Sequence, residues 1–66
     1  MIDIGKQIKQ IRKDKHISQK DFAEILKIPA STLANYENNY RQPRIEILVE
    51  MANALGVTIN DFVKGN

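Results

Sequence analysis

One stretch limits what this chain can fold into more than any other: Gln19 to Asn38, QKDFAEILKIPASTLANYEN. Phe22, Ala23 and Leu26 make one apolar face at i, i+1 and i+4, and Leu33 and Tyr36, three apart, make a second. Between them stands Lys27-Ile28-Pro29. Pro29 lacks a backbone N–H, and its fixed φ suits the start of a helix. It also pushes Ile28 toward extended geometry. The pattern predicts two short helices joined by a tight turn. Helices this short are not stable alone, so each must lean on the other and on its neighbours. Ala23 supplies a small residue where the two approach.

The flanking sequence supplies those neighbours. Ile4, Ile8 and Ile11 recur at i, i+4 and i+7 and predict a first helix from about Asp3, its N-cap, to Asp14. Lys6, Gln7, Lys9 and Lys13 fall on the remaining surface, and His16 reads as a helix-end residue. Ser18-Gln-Lys-Asp21 is a capping-box-like start for the second helix, which should end near Leu26. The third should run from about Ala30 to Glu37 or Asn38. Residues 38–43 read as a loop, with Asn39 in the left-handed turn because Asn tolerates positive φ. Ile45, Leu48, Val49, Ala52 and Leu55 predict one buried stripe on a fourth helix that Gly56 ends. Thr58-Ile-Asn-Asp61 opens a short fifth helix with Ile59, Phe62 and Val63, stopping near Gly65. The expectation is an all-α, compact five-helix arrangement with residues 1–66 forming a single domain.

Composition removes several function classes. With 66 residues there is no room for a catalytic cleft beside a core. One His, no Cys and no clustered carboxylates argue against an enzyme, and the lack of Cys removes disulfides and thiolate metal sites. No metal or cofactor is expected. No apolar run approaches the roughly 18–20 residues that span a bilayer. The formal charge of +2 is uneven, since residues 1–16 hold Lys6, Lys9, Arg12, Lys13 and Lys15 against Asp3 and Asp14. That excess suits a nucleic-acid binder and equally suits an ordinary solvated helix face.

With the helices placed, the chain resembles the phage-repressor helix-turn-helix family (Cro/cI-like, or XRE). The match runs through Gln19, Ala23, Ser31-Thr32-Leu33 and Tyr36-Glu37-Asn38. It continues through Arg41, Pro43, Glu46, Leu48, Ala52 and Ala54-Leu55-Gly56-Val57. So many positions in register make the resemblance specific. It implies a lambda-repressor-like fold and a bacterial or phage-encoded, cytoplasmic transcriptional regulator, most simply a repressor. Three positions depart from the pattern: Lys27 where the family usually has Gly, Pro29 where Ser or Thr usually caps the third helix, and Arg44 before the fourth.

The resemblance also implies site residues. The base-reading surface would be Pro29, Ala30, Ser31, Thr32 and Asn35 on the third helix, laid in the major groove of double-stranded DNA. Asn35 is the best reader, because an Asn amide pairs with adenine N6 and N7. Phosphate contacts would come from Gln19, Asn38, Tyr40, Arg41 and Arg44, with Gln19 also bracing the third helix. Tyr40 either donates its hydroxyl to the backbone or covers the fourth helix. Arg12 and Glu37 would form an ion pair between the first and third helices. A homodimer would read a palindromic site through Leu55, Val57, Thr58, Ile59, Phe62 and Val63, although core burial explains some of these equally well. Ile25 and Ile47 stand where relatives often carry polar residues, as core, protein contact or singly exposed apolars. The competing reading is a protein-interaction module on the same fold, such as an antitoxin.

Overall fold

Four of the five helices end in the same way. In the computed structural model, which describes residues 3–63, the helices are α1 (Ile4–Asp14), α2 (Gln19–Leu26), α3 (Ala30–Glu37), α4 (Ile45–Leu55) and α5 (Ile59–Val63). His16, Lys27, Asn39 and Gly56 follow α1 to α4 with φ of 60°, 60°, 63° and 71°. After each, the next residue donates back across five positions: Ile17 to Arg12, Ile28 to Ala23, Tyr40 to Asn35 and Val57 to Ala52, at 2.9–3.2 Å. This bond satisfies a carbonyl that the helix itself leaves open and turns the chain sharply. Lys27 therefore bears the left-handed conformation that the resemblance led one to expect of a Gly, at a cost of about 1–2 kcal/mol. Asn39 takes the expected left-handed turn, and His16 is a left-handed residue as well as a helix-end one.

The helix starts follow their sequence signals. Asp3 accepts from Lys6 N–H at 2.8 Å and Ser18 from Asp21 N–H at 3.0 Å. Asp61 reaches back to accept from Thr58 N–H at 3.0 Å. The expected stop of α5 at Gly65 lies outside the described residues.

α1 packs on α3 and α5, α2 on α3 and α4, and α4 on α5. The shared core holds Ile8, Phe22, Leu33, Met51 and Phe62, all fully buried, with Ala23, Leu26, Leu48, Ala52 and Leu55 around them. Burying each large side chain contributes about 1.5–3 kcal/mol.

The stripe expected on α4 is turned on its axis. Ile45 is 60% and Val49 40% exposed, while Met51, absent from that stripe, is fully buried. Successive residues advance roughly 100° around a helix. Ile45 and Val49 therefore fall to one side of the face centred on Leu48, Ala52 and Leu55, and Met51 completes it on the other.

Two expected dimer residues are also corrected. Leu55 is 3% exposed and Phe62 not at all, both inside this chain's own core and out of a partner's reach. Thr58 is exposed, and Val57, Ile59 and Val63 are half-buried. Ile47 packs against the core, whereas Ile25 is exposed. Among the described residues, no helix is long and apolar enough to cross a membrane, and no group of His, Cys, Asp and Glu can hold a metal.

Candidate nucleic-acid interface

α3 has one buried side and one open side. Leu33 and Glu37 point inward and are buried. Ser31, Asn35 and Asn38 follow at i, i+4 and i+7 on the opposite side. Ser31 and Asn38 are exposed and Asn35 is half-buried. Pro29 and Ala30 are exposed at the start of the helix, and Thr32 is half-buried. Among the described residues, the side chains of Ser31 and Asn35 make no hydrogen bond, so their donors and acceptors remain available.

The rotation of α3 is set by a charged cluster. Arg12 Nε donates to Glu37 Oε2 at 2.7 Å and Nη2 to Oε1 at 3.2 Å. Arg12 Nη1 donates to the Ile17 carbonyl at 2.7 Å. Gln19 Nε2 donates to Glu37 Oε1 at 3.0 Å. Arg12 is 6% and Glu37 4% exposed, so this fork-on-fork pair is shielded from water. The carboxylate is held from α1 and α2 together, which fixes where the open face of α3 points. Its negative charge is neutralised beside a surface that would otherwise repel phosphate. The ion pair expected between Arg12 and Glu37 is thus present, and Gln19 braces α3 as expected.

Exposed polar and basic residues lie on the loop after α3 and along α1. Tyr40 is 79% exposed, so it does not cover α4. Arg41 and Arg44 are exposed on either side of Pro43, and Lys6, Lys9 and Lys13 are exposed along α1. Pro29 and Arg44 stand at the N-caps of α3 and α4 and give no side-chain capping bond. The first N–H groups of both helices are therefore left to solvent or to an anion. Among the described residues no buried side-chain nitrogen or oxygen lacks a partner.

The side chain of Asn39 was not anticipated. It joins the end of α3 to the start of α1, with Gly5 N–H and Asp3 as its partners. A link across 34 to 36 residues leaves no periodic trace in a sequence. Gly5 was the available signal, because a glycine inside a helix often marks a close approach.

Two short helices at a left-handed turn, with one face of the second helix left open, define a helix-turn-helix domain. The chain belongs to the helix-turn-helix family, whose model matches residues 8–62. It is 34% identical over 64 residues to the HTH-type transcriptional regulator ImmR of Bacillus subtilis (strain 168), covering 97% of this chain and 50% of ImmR. It is 33% identical over 60 residues to the immunity repressor protein of Bacillus phage phi105, covering 91% of this chain and 42% of that protein. The chain thus spans half or less of the length of these two relatives. Its fold matches SinR, the master regulator for biofilm formation, solved in complex with DNA. The TM-score is 0.83 at 33% identity, covering 89% of this chain and 95% of that one.

Proposed function

We infer that this chain is a sequence-specific double-stranded DNA-binding domain of a transcriptional regulator, most simply a cytoplasmic repressor, with residues 1–66 acting as one domain. The observation behind this reading is the open face of α3. The side chains of Ser31 and Asn35 make no hydrogen bond on the side opposite Leu33, while the Arg12–Gln19–Glu37 cluster holds that side outward. The relatives named as regulators and repressors, and the DNA-bound neighbour, favour the same reading.

In this reading α3 enters the major groove, which is wide enough for a helix. Asn35 pairs with adenine N6 and N7, Ser31 and Thr32 donate or accept at base edges, and Pro29 and Ala30 contact a thymine methyl. The reading face has no Arg, so it makes no bidentate contact to guanine. Gln19, Asn38, Tyr40, Arg41 and Arg44 grip phosphates and set the register. The open helix starts at Pro29 and Arg44 add N–H donors to that grip. Two copies pair about 34 Å apart on a palindrome, through Val57, Thr58, Ile59 and Val63, without Leu55 and Phe62. No cofactor, metal or catalytic step is invoked.

Selection of bound duplexes from random DNA, at stated salt, tests this. The expected result is a palindromic site containing an adenine that Asn35→Ala no longer discriminates, at a cost of about 1–3 kcal/mol. Affinity that ignores both salt and base order would end the proposal.

A second reading is favoured by a different observation. Ile25 and Ile45 are 54% and 60% exposed on α2 and α4, which pack together. In an interaction module such as an antitoxin, these residues would take a protein partner and α3 would stay free of DNA. Loss of partner capture in Ile25→Ser with duplex binding absent in the wild type would favour it.

A further inference from the structure

Asn39 is the first residue of the loop that follows the C-cap of α3, and its side chain reaches back to another helix. Its Oδ1 accepts from Gly5 N–H at 3.2 Å, and its Nδ2 donates to Asp3 Oδ1 at 2.6 Å. The same Asp3 oxygen accepts from Lys6 N–H at 2.8 Å. One amide therefore satisfies a free N–H in the first turn of α1 and binds that helix's own cap. Gly5 makes the approach possible. A Cβ there would meet Asn39 Oδ1 at 2.6 Å and the Glu37 carbonyl at 2.8 Å, and would also strike the Tyr36 carbonyl.

On its other side Asn39 leads into the strand-gripping segment. Tyr40 and Arg41 both donate their N–H to the carbonyl of Asn35, at 2.9 and 3.2 Å. The residue in the best position to read a base therefore shares its own peptide with this loop. Residues 38–42 are all exposed, so no buried side chain holds the segment down. Its ordering rests on backbone bonds to α3 and on the Asn39 amide.

We propose that Asn39 is a positioning residue for DNA binding. By fastening the end of α3 to the start of α1, it sets where Tyr40 and Arg41 stand relative to Ser31 and Asn35. The backbone grip and the reading face then meet one duplex without first ordering the loop, a cost that binding would otherwise bear. This rests on the DNA-binding reading above.

Asn39→Gly in the full chain tests it. Glycine adopts the φ of 63° without strain, so the left-handed turn is kept while the side-chain bonds are lost. Affinity for the selected duplex should fall about 5- to 30-fold, the range that one or two lost kcal/mol produces. The slope of log affinity against log salt should shrink by roughly 0.9, the share of one phosphate. Amide exchange at Tyr40 and Arg41 should quicken in the free protein. In an Arg41→Ala background, Asn39→Gly should cost far less affinity, because the residue it positions is already gone. Wild-type affinity and salt slope in Asn39→Gly overturn the proposal, as does an equal loss with and without Arg41. A wild-type chain that ignores duplex DNA overturns the DNA-binding reading itself, and this role with it.

Discussion

α2 and α3 are each eight residues long and pack against each other, yet they are held by opposite means. α2 buries Phe22, Ala23 and Leu26 and opens on the hydroxyl of Ser18. α3 buries one apolar side chain, Leu33, and one charged one, Glu37, and opens on Pro29 without a side-chain cap. An apolar stripe holds a helix down but tolerates small rotations about its axis. Hydrogen bonds to both oxygens of Glu37, from Arg12 on α1 and Gln19 on α2, do not. A helix that must present one face at a defined angle gains from the second kind of anchor. The helix behind it needs only the first.

Removing the anchors gives the largest expected effect. Glu37→Ala leaves the Arg12 guanidinium buried without its carboxylate, which costs about 3–5 kcal/mol. Phe22→Ala, the matching truncation in α2, costs about 3–5 kcal/mol through its cavity. The two differ in what repairs them. Replacing both members of the pair, Arg12→Met with Glu37→Met, should cost much less than Glu37→Ala, because desolvation of both charges is relieved and only the Ile17 carbonyl and the Gln19 amide lose a partner. That double variant should still weaken DNA binding, since α3 loses its fixed rotation. Urea unfolding of the three variants measures the first part and duplex titration the second. A Glu37→Ala cost below about 1 kcal/mol, the value of an exposed ion pair, would break the comparison.

The same contrast decides what could be read from sequence. α2 was legible because its signals are local: a capping box at Ser18 and Asp21, then apolar residues at helical spacing. The open face of α3 and the Arg12–Glu37 pair, 25 residues apart, were reached through the family resemblance. Periodicity alone does not pair residues on different helices. On α4 two overlapping apolar stripes compete, and the sequence does not say which meets the core. The stripe through Met51 wins, which leaves Ile45 and Val49 at the surface. Leu55 and Phe62 are apolar in a way that suits a core or an interface, and only packing separates the two. The Asn39 side chain is the hardest case, because it bonds to the far end of the chain with no partner signal beside it.

The helix starts sharpen the comparison at a smaller scale. Ser18→Ala removes the acceptor for Asp21 N–H at the start of α2 and should lower stability by about 1 kcal/mol. Pro29→Ser offers α3 the cap it lacks, also about 1 kcal/mol. The extra freedom of the unfolded chain takes back roughly 0.4–1 kcal/mol, so the net gain is smaller than the loss at Ser18. Thermal unfolding of the two variants checks this. If the open start of α3 serves to receive phosphate, the added hydroxyl competes for the same N–H, and Pro29→Ser binds duplex no better despite its added stability. A neutral Ser18→Ala would show that capping does not distinguish the two helices.

The smallest expected effect concerns the far end of α3, which is tied to α1 where α2 simply ends in its own turn. The Asp3 carboxyl is held below its ordinary value of 3.8, first by the Asn39 amide, then by Lys6 N–H, against an opposing effect of desolvation and with the weakest pull from the Lys6 charge. A carboxyl whose folded value lies below its unfolded one adds stability that is complete above the unfolded value. That contribution disappears as pH falls through the folded value. The tie between α1 and α3 should therefore hold at neutral pH and loosen only in acid, below about 3.8. Following the Asp3 carboxyl by NMR across that range gives the measurement. Asn39→Gly should move its midpoint up toward 3.8, because the largest cause of the depression is gone, whereas Ser18→Ala at the start of α2 should leave it in place. A wild-type midpoint already at 3.8 would mean that the Asn39 bond does not favour the charged form, and the two helices would then differ at their anchors and starts but not at their ends.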